Sequence, residues 1–170
     1  MGNRVEAWTG DEPATAHRAI TPMASFKGSF AHQLDDKGRL AFPAKLRAQA
    51  PEGGTVNLGP DRQIIFYPAD LWQIWERRMN QLNDFVPDER RAKRYFFGWA
   101  EEVAFDAQGR ITISPRLREQ AGLVKEATIV GVGDRVEIWD AETRRAGIAR
   151  EIADASEYML RASEGVQPTT

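Results

Sequence analysis

Cysteine is absent from the 170 residues, which excludes disulfides, thiolate metal sites and a cysteine nucleophile, and agrees with a reducing compartment. Histidine is scarce: His17 and His32 are the two in the chain. His17 stands in a stretch without pattern, and His32, between Ala31 and Gln33 in a strand-like segment, reads as a satisfied structural residue. Acid-base or nucleophilic chemistry needs a nucleophile with a base, or paired carboxylates in a cleft, and the carboxylates here fall in turns and on helix surfaces. We therefore expect no enzyme, no metal, no cofactor and no small-molecule substrate. The "GVGD" at 131–134 is not a phosphate loop, because the downstream glycine and the Lys-Ser/Thr pair are missing and a strand follows. No apolar run approaches the roughly 18 to 20 residues of a membrane span, and the N-terminus lacks a secretory layout, so a cytoplasmic protein without a membrane partner is expected. A basic surplus is missing too: the formal net charge is -2, so any case for nucleic acid must be local.

What is present is a globular composition, 42% hydrophobic and 28% charged. Residues 1–22 carry no apolar period and read as a disordered extension, with Met23 a candidate for the true start. From there the chain alternates, Phe26, Phe30 and Leu34 against Lys27, Ser29 and Gln33, which predicts a half-buried strand. "DDKG" turns it, "RLAF" returns as the second strand of a hairpin, and Pro43 opens a short helix over "PAKLRAQA".

The same phrase occurs twice. "LDDKGRLAFPAKLR" at 34–47 recurs as "FDAQGRITISPRLR" at 105–118, with Asp35 on Asp106, Gly38 on Gly109, Arg39 on Arg110 and Arg47 on Arg118. In the second copy Ser114 is an N-cap candidate, Pro115 takes the first helical position and Gly122 the stop. Two strands follow each copy, "TVNL" and "IIFY", then "ATIVGV" and "VEIW". A helix ends each half, with Leu71, Trp75 and Met79 along the first and Ile148, Ile152 and Met159 on one face of the last. Between the halves "PDERRAKRYFFGWAEE" predicts a helix leading into the strand "EEVAF". Each repeat, about 50 residues, is too small to bury a comfortable core alone, so two copies packed face to face are expected.

Asp35, Gly38, Asp106 and Gly109 are assigned to shaping the turns. Arg39 and Arg110 have two readings. One is a surface ion pair with the aspartate four residues earlier. The other is a planar guanidinium at a rigid tip, able to bond a guanine edge in the major groove or a phosphate. Lys37, Lys45, Arg47, Arg116 and Arg118 supply candidate phosphate contacts. Between residues 23 and 50, Lys27, Lys37, Arg39, Lys45 and Arg47 face only Asp35 and Asp36, a local basic excess. The aromatic set Trp72, Trp75, Tyr95, Phe96, Phe97 and Trp99 reads as core and subunit packing, or, in a scaffold protein, as a partner surface.

Both motif copies, the intervening "RYFFGWA" and the later "VGVGDRVEIWD" resemble the MraZ family of bacterial transcriptional regulators, over residues 23 to about 160. The resemblance implies an α+β fold: two tandem SpoVT-AbrB-like modules of the AbrB/MazE swapped-hairpin type, forming a pseudo-dimeric β-barrel with peripheral helices. The modules would span 23–83 and 101–163, joined by a helix at 84–100, with a tail at 164–170. It further implies nucleoid association and a ring-shaped homo-oligomer, an octamer or dodecamer. The implied partner is double-stranded promoter DNA, bound at short direct repeats upstream of the division and cell-wall gene cluster. The DNA-reading role of the Asp-x-x-x-Arg loops carries over to Lys37, Arg39, Gln108 and Arg110. Ser114 departs from the pattern, standing where the family often has proline. A ring-shaped scaffold binding another protein is the alternative; an antitoxin-like regulator is disfavoured by the two fused modules and the lack of a long toxin-binding tail.

Overall fold

The computed structural model describes residues 24–165. The expected extension at 1–22, His17, Met23 and residues 166–170 of the expected tail lie outside the described residues.

In chain order, β1 (Phe26–Gln33) and β2 (Arg39–Ala41) flank the first turn, and α1 (Ala44–Arg47), β3 (Gly54–Leu58), β4 (Ile64–Pro68) and α2 (Ala69–Asn80) complete the first half. α3 (Pro87–Gly98) leads into β5 (Glu101–Val103) and β6 (Arg110–Thr112), followed by α4 (Pro115–Ala121), β7 (Glu126–Gly133), β8 (Val136–Asp140) and α5 (Ala141–Glu164). The chain is thus a mixture of helices and antiparallel strands built on two repeats.

Local chemistry explains the boundaries. Ser114 Oγ accepts the Leu117 N–H at 3.3 Å and caps α4, Pro115 needs no donor in the first turn, and Gly122 stops the helix in the left-handed region at φ +65°. Asp140 caps α5 through the Thr143 N–H at 2.9 Å. α1 begins at Pro43 without a side-chain cap and lasts four residues. In β1, Phe26 is buried and Phe30 half-buried, while Lys27, Ser29 and Gln33 are exposed.

The pairing of the strands departs from two self-contained units. One six-stranded antiparallel sheet runs β1-β7-β8-β4-β3-β5, and β2 pairs with β6 in a separate ribbon. Exchanging the halves maps each order onto itself. β1 and β2 do not form the expected hairpin ladder: they meet at a single Leu34–Leu40 bridge, and β2 instead runs antiparallel to β6, Leu40 opposite Ile111. β1 likewise takes its eight-residue ladder from β7 of the other half. The reason is burial. Leu40, Leu46, Ile111, Ile113 and Leu117 are fully enclosed in one core shared by both halves, with Phe26, Val56, Phe66, Ile129 and Ile138 from the large sheet. Each such side chain contributes about 1.5–3 kcal/mol relative to exposure, and a half alone cannot enclose them. The hydrogen-bonded order leaves β1 and β5 as edges, so the large sheet is open and strand pairing does not close the expected barrel.

α3 packs beside α2 and against β3 and β4. Trp72 stacks on Phe96 with ring centroids 4.7 Å apart and planes 8° from parallel, and Tyr67, Trp75 and Phe97 join the aromatic group. Buried Asn57 secures the position by donating to the Phe96 carbonyl at 2.9 Å. Trp99 packs against the shared core, whereas Tyr95 is exposed. Among the described residues, no helix is long and apolar enough to cross a membrane.

Candidate nucleic-acid interface

The two repeated turns have one geometry. Asp35 Oδ1 accepts the backbone N–H groups of Lys37 and Arg39, each at 2.9 Å, and Oδ2 accepts Arg39 Nε at 2.6 Å. In the second turn Asp106 Oδ1 accepts the N–H groups of Gln108 and Arg110, each at 2.9 Å, and Oδ2 accepts Arg110 Nε at 2.8 Å. Gly38 and Gly109 sit at φ +74° and +73°, the left-handed region where a side chain is disfavoured. Each aspartate therefore fixes a loop and orients an arginine by its Nε.

This environment shifts both carboxyls. The Arg39 backbone N–H holds Asp35 below the ordinary carboxylate value; desolvation opposes it, and the Arg39 side chain, the Lys37 N–H and the Arg39 charge reinforce it. Asp106 is lowered in the same way by Arg110 and Gln108.

The β2–β6 ribbon brings the loops side by side. The Phe42 N–H donates to the Gly109 carbonyl at 3.0 Å, and the Ile113 N–H to the Gly38 carbonyl at 2.9 Å, so each loop is bonded to the strand end of the other copy. Arg110 Nη1 approaches Asp35 Oδ2 at 3.7 Å, a direct link between the loops, and Arg110 Nη2 donates to Gln108 Oε1 at 3.2 Å. Arg39 has no such second carboxylate among the described residues.

Arg47 and Arg118 lie beneath the loops. Arg47 Nη1 donates to the Phe42 and Gly109 carbonyls at 3.3 and 3.5 Å, and Arg118 Nε to the Ile113 carbonyl at 3.1 Å. A Cβ on Gly38 would stand 2.9 Å from Arg118 Cζ, and one on Gly109 would overlap the Arg47 guanidinium. Each arginine thus supports the glycine of the opposite loop, a contact that sequence reasoning missed although the recurring Leu-Arg was its signal. Lys37 and Gln108 are exposed at the tips, and Lys45 is exposed on α1. Arg116 Nη2 donates to the Gly98 carbonyl and its guanidinium lies 4.1 Å above the Trp99 ring, which ties it to the end of α3. The site is two joined tips with cationic donors, and an open depression of about 400 Å³ lies beside the second tip, lined by Arg47, Phe105, Asp106 and Gly109.

Comparison with known proteins agrees over most of the chain. Residues 25–95 and 96–157 each match the family described as "MraZ protein, putative antitoxin-like". The protein named Transcriptional regulator MraZ from Thermomicrobium roseum is 45% identical over 117 residues, covering 69% of this chain and 82% of that protein.

Proposed function

The chain belongs to the MraZ family, and from that premise we propose that it is a transcriptional regulator that reads double-stranded DNA through its two joined loops. One observation carries the reading: two copies of a rigid turn, each aiming an arginine fixed by its own aspartate, are held side by side by a ribbon. A guanidinium with its Nε already bonded is pre-oriented, and its Nη groups match the O6/N7 edge of guanine in the major groove. Lys37 and Gln108 stand at the tips to contact neighbouring base edges or phosphates, and Lys45 and Arg116 flank them for the backbone. Arg47 and Arg118 act first as loop supports, with their remaining donors available to phosphate. The relative's name supports regulation of transcription for this chain too.

In the same reading the DNA partner is a set of short direct repeats in the promoter of the division and cell-wall gene cluster. Several copies of the chain, arranged as a ring, engage successive repeats. One ridge makes few contacts, and tethered copies convert later contacts into intramolecular ones. The two modules at 23–83 and 101–163, with the connecting helix at 84–100, then act as one reading unit. Nucleoid association follows from that role.

The test is fluorescence anisotropy on DNA from upstream of the chain's own gene against a scrambled duplex at two salt concentrations. Preference for the upstream DNA is expected, falling at least tenfold in Arg39→Ala, with a similar or smaller loss in Arg110→Ala. Both variants should keep their circular dichroism and oligomer size. Intact sequence preference in the double variant would reject the loops as the reading elements.

A further inference from the structure

We propose, on the premise that the two turns read DNA, that the side chains at their tips make them unequal readers. Asp36 and Lys37 suit the first turn to a G·C pair, Ala107 and Gln108 suit the second to an A·T pair, and a duplex therefore lies on the joined turns in one orientation. In their backbones the turns are copies. Each aspartate accepts the same two N–H groups, Gly38 and Gly109 share one conformation, and exchanging the halves maps the ribbon onto itself. Two identical readers so arranged would suit a site with dyad symmetry. Between the matched aspartate and glycine, however, Asp36 stands on Ala107 and Lys37 on Gln108. All four are exposed. Gln108 Oε1 accepts Arg110 Nη2 at 3.2 Å. Lys37 has no acceptor to offer Arg39, so the two arginines also stand in different company.

Each tip offers the groups that complement a different base pair. A lysine ammonium bonds the O6 and N7 acceptors of guanine, and a carboxylate accepts from the N4 amino group of cytosine. Asp36 and Lys37 supply those two groups side by side, and a thymine methyl gives neither of them a partner. Ala107 and Gln108 supply the other set, an apolar side chain for the thymine methyl and an amide for N6 and N7 of adenine. Having accepted Arg110, Oε1 of Gln108 keeps a second lone pair and Nε2 keeps both N–H groups, so the amide can still make both bonds to adenine. Its bond to Arg110 sets the second tip before DNA arrives, which lowers the cost of ordering it on binding. Asp36 adds a repulsive element at the first tip, because its carboxylate is opposed by phosphate and by any base edge that presents only acceptors. Copies of the chain that all hold the duplex the same way round suit repeats that run in one direction.

The Lys37 and Gln108 N–H groups that the aspartates bind belong to the backbone, so the tip side chains can be exchanged without removing a hydrogen bond of either turn's frame. The full-length native chain and three variants would be titrated by fluorescence anisotropy on the preferred upstream duplex, with each base pair substituted in turn and circular dichroism as the check on folding. For the native chain, G·C to A·T at one end of the bound site, or A·T to G·C at the other, should each weaken binding about tenfold. Asp36→Ala with Lys37→Gln should prefer A·T at both ends, and Ala107→Asp with Gln108→Lys should prefer G·C at both. All four changes together exchange the tips, so the duplex turns round on the protein and the native base profile should return. An unchanged profile in both two-residue variants, in a chain whose preference still depends on Arg39 and Arg110, would overturn the tips as the source of the difference and leave the turns as the reading elements. Failure of the four-residue exchange to restore the profile would overturn it equally. A native chain without preference for the upstream duplex would reject the reading through the turns, and the unequal tips with it.

Discussion

Asp35 and Asp106 show how one carboxylate organises a turn. Each is held below the ordinary carboxyl value chiefly by a backbone N–H, so ionisation and loop geometry are coupled. Because the folded value is depressed, the stabilisation is fully present above the unfolded value of about 3.9 and is lost as pH falls from there through the folded value. Urea unfolding midpoints measured from pH 5 downward should therefore fall more steeply for the native chain than for the Asp35→Asn, Asp106→Asn double variant. The glycines set the other requirement. Gly109→Ala imposes a left-handed φ on a residue with a Cβ and displaces the Arg47 guanidinium, so a loss of about 1–2 kcal/mol is expected from the backbone alone. Gly122→Ala is the comparison: it also has positive φ, but its Cβ would meet nothing within 4 Å. Urea unfolding should show Gly109→Ala to be the more costly of the two.

Among the elements, α1 and α4 are copies with different endings. α4 has the Ser114 cap, and Ser114 Oγ also donates to Glu101 Oε1 at 2.9 Å, fastening the helix start to β5. α1 has neither a side-chain cap nor a length beyond four residues. Ser114→Ala should cost about 0.5–2 kcal/mol in thermal or urea unfolding, the range of a lost N-cap. Its effect should appear first as faster amide exchange at Leu117, whose N–H loses its acceptor. Ser114 thus has a local structural use. β2 and β6 make the opposite point. With three residues each, neither has stability of its own, and both are held by Leu40 and Ile111 in the shared core.

At the scale of the molecule the halves are interleaved: β1 depends on β7, β2 on β6 and β5 on β3. A half expressed alone would expose the core that the other half covers. Residues 24–95 produced separately should show no cooperative thermal transition by circular dichroism, and mixing with residues 96–165 should restore one. A cooperative transition in either half alone would show that each repeat closes its own core. The same interleaving explains why the two repeated turns are neighbours, since the ribbon that joins them is also the seam between the halves.

By itself the sequence determined the local elements, because their causes are local. Alternation marked β1, Pro115 and Gly122 bounded α4, and the aspartate, glycine and arginine spacing recurred as the same turn in both copies. The spacing of Trp72 and the aromatic run at 95–97 likewise pointed to packed helices, and Trp72 and Phe96 do stack. Only the tertiary structure decided which strand pairs with which, that Arg47 and Arg118 lie against the glycines of the opposite loops, and that Arg110 reaches Asp35. A backbone ladder accepts any strand of suitable length, and "RLA" and "RIT" carry no mark of their partner. The choice falls to the arrangement that buries the apolar residues of both halves at once, and that is a property of the whole chain.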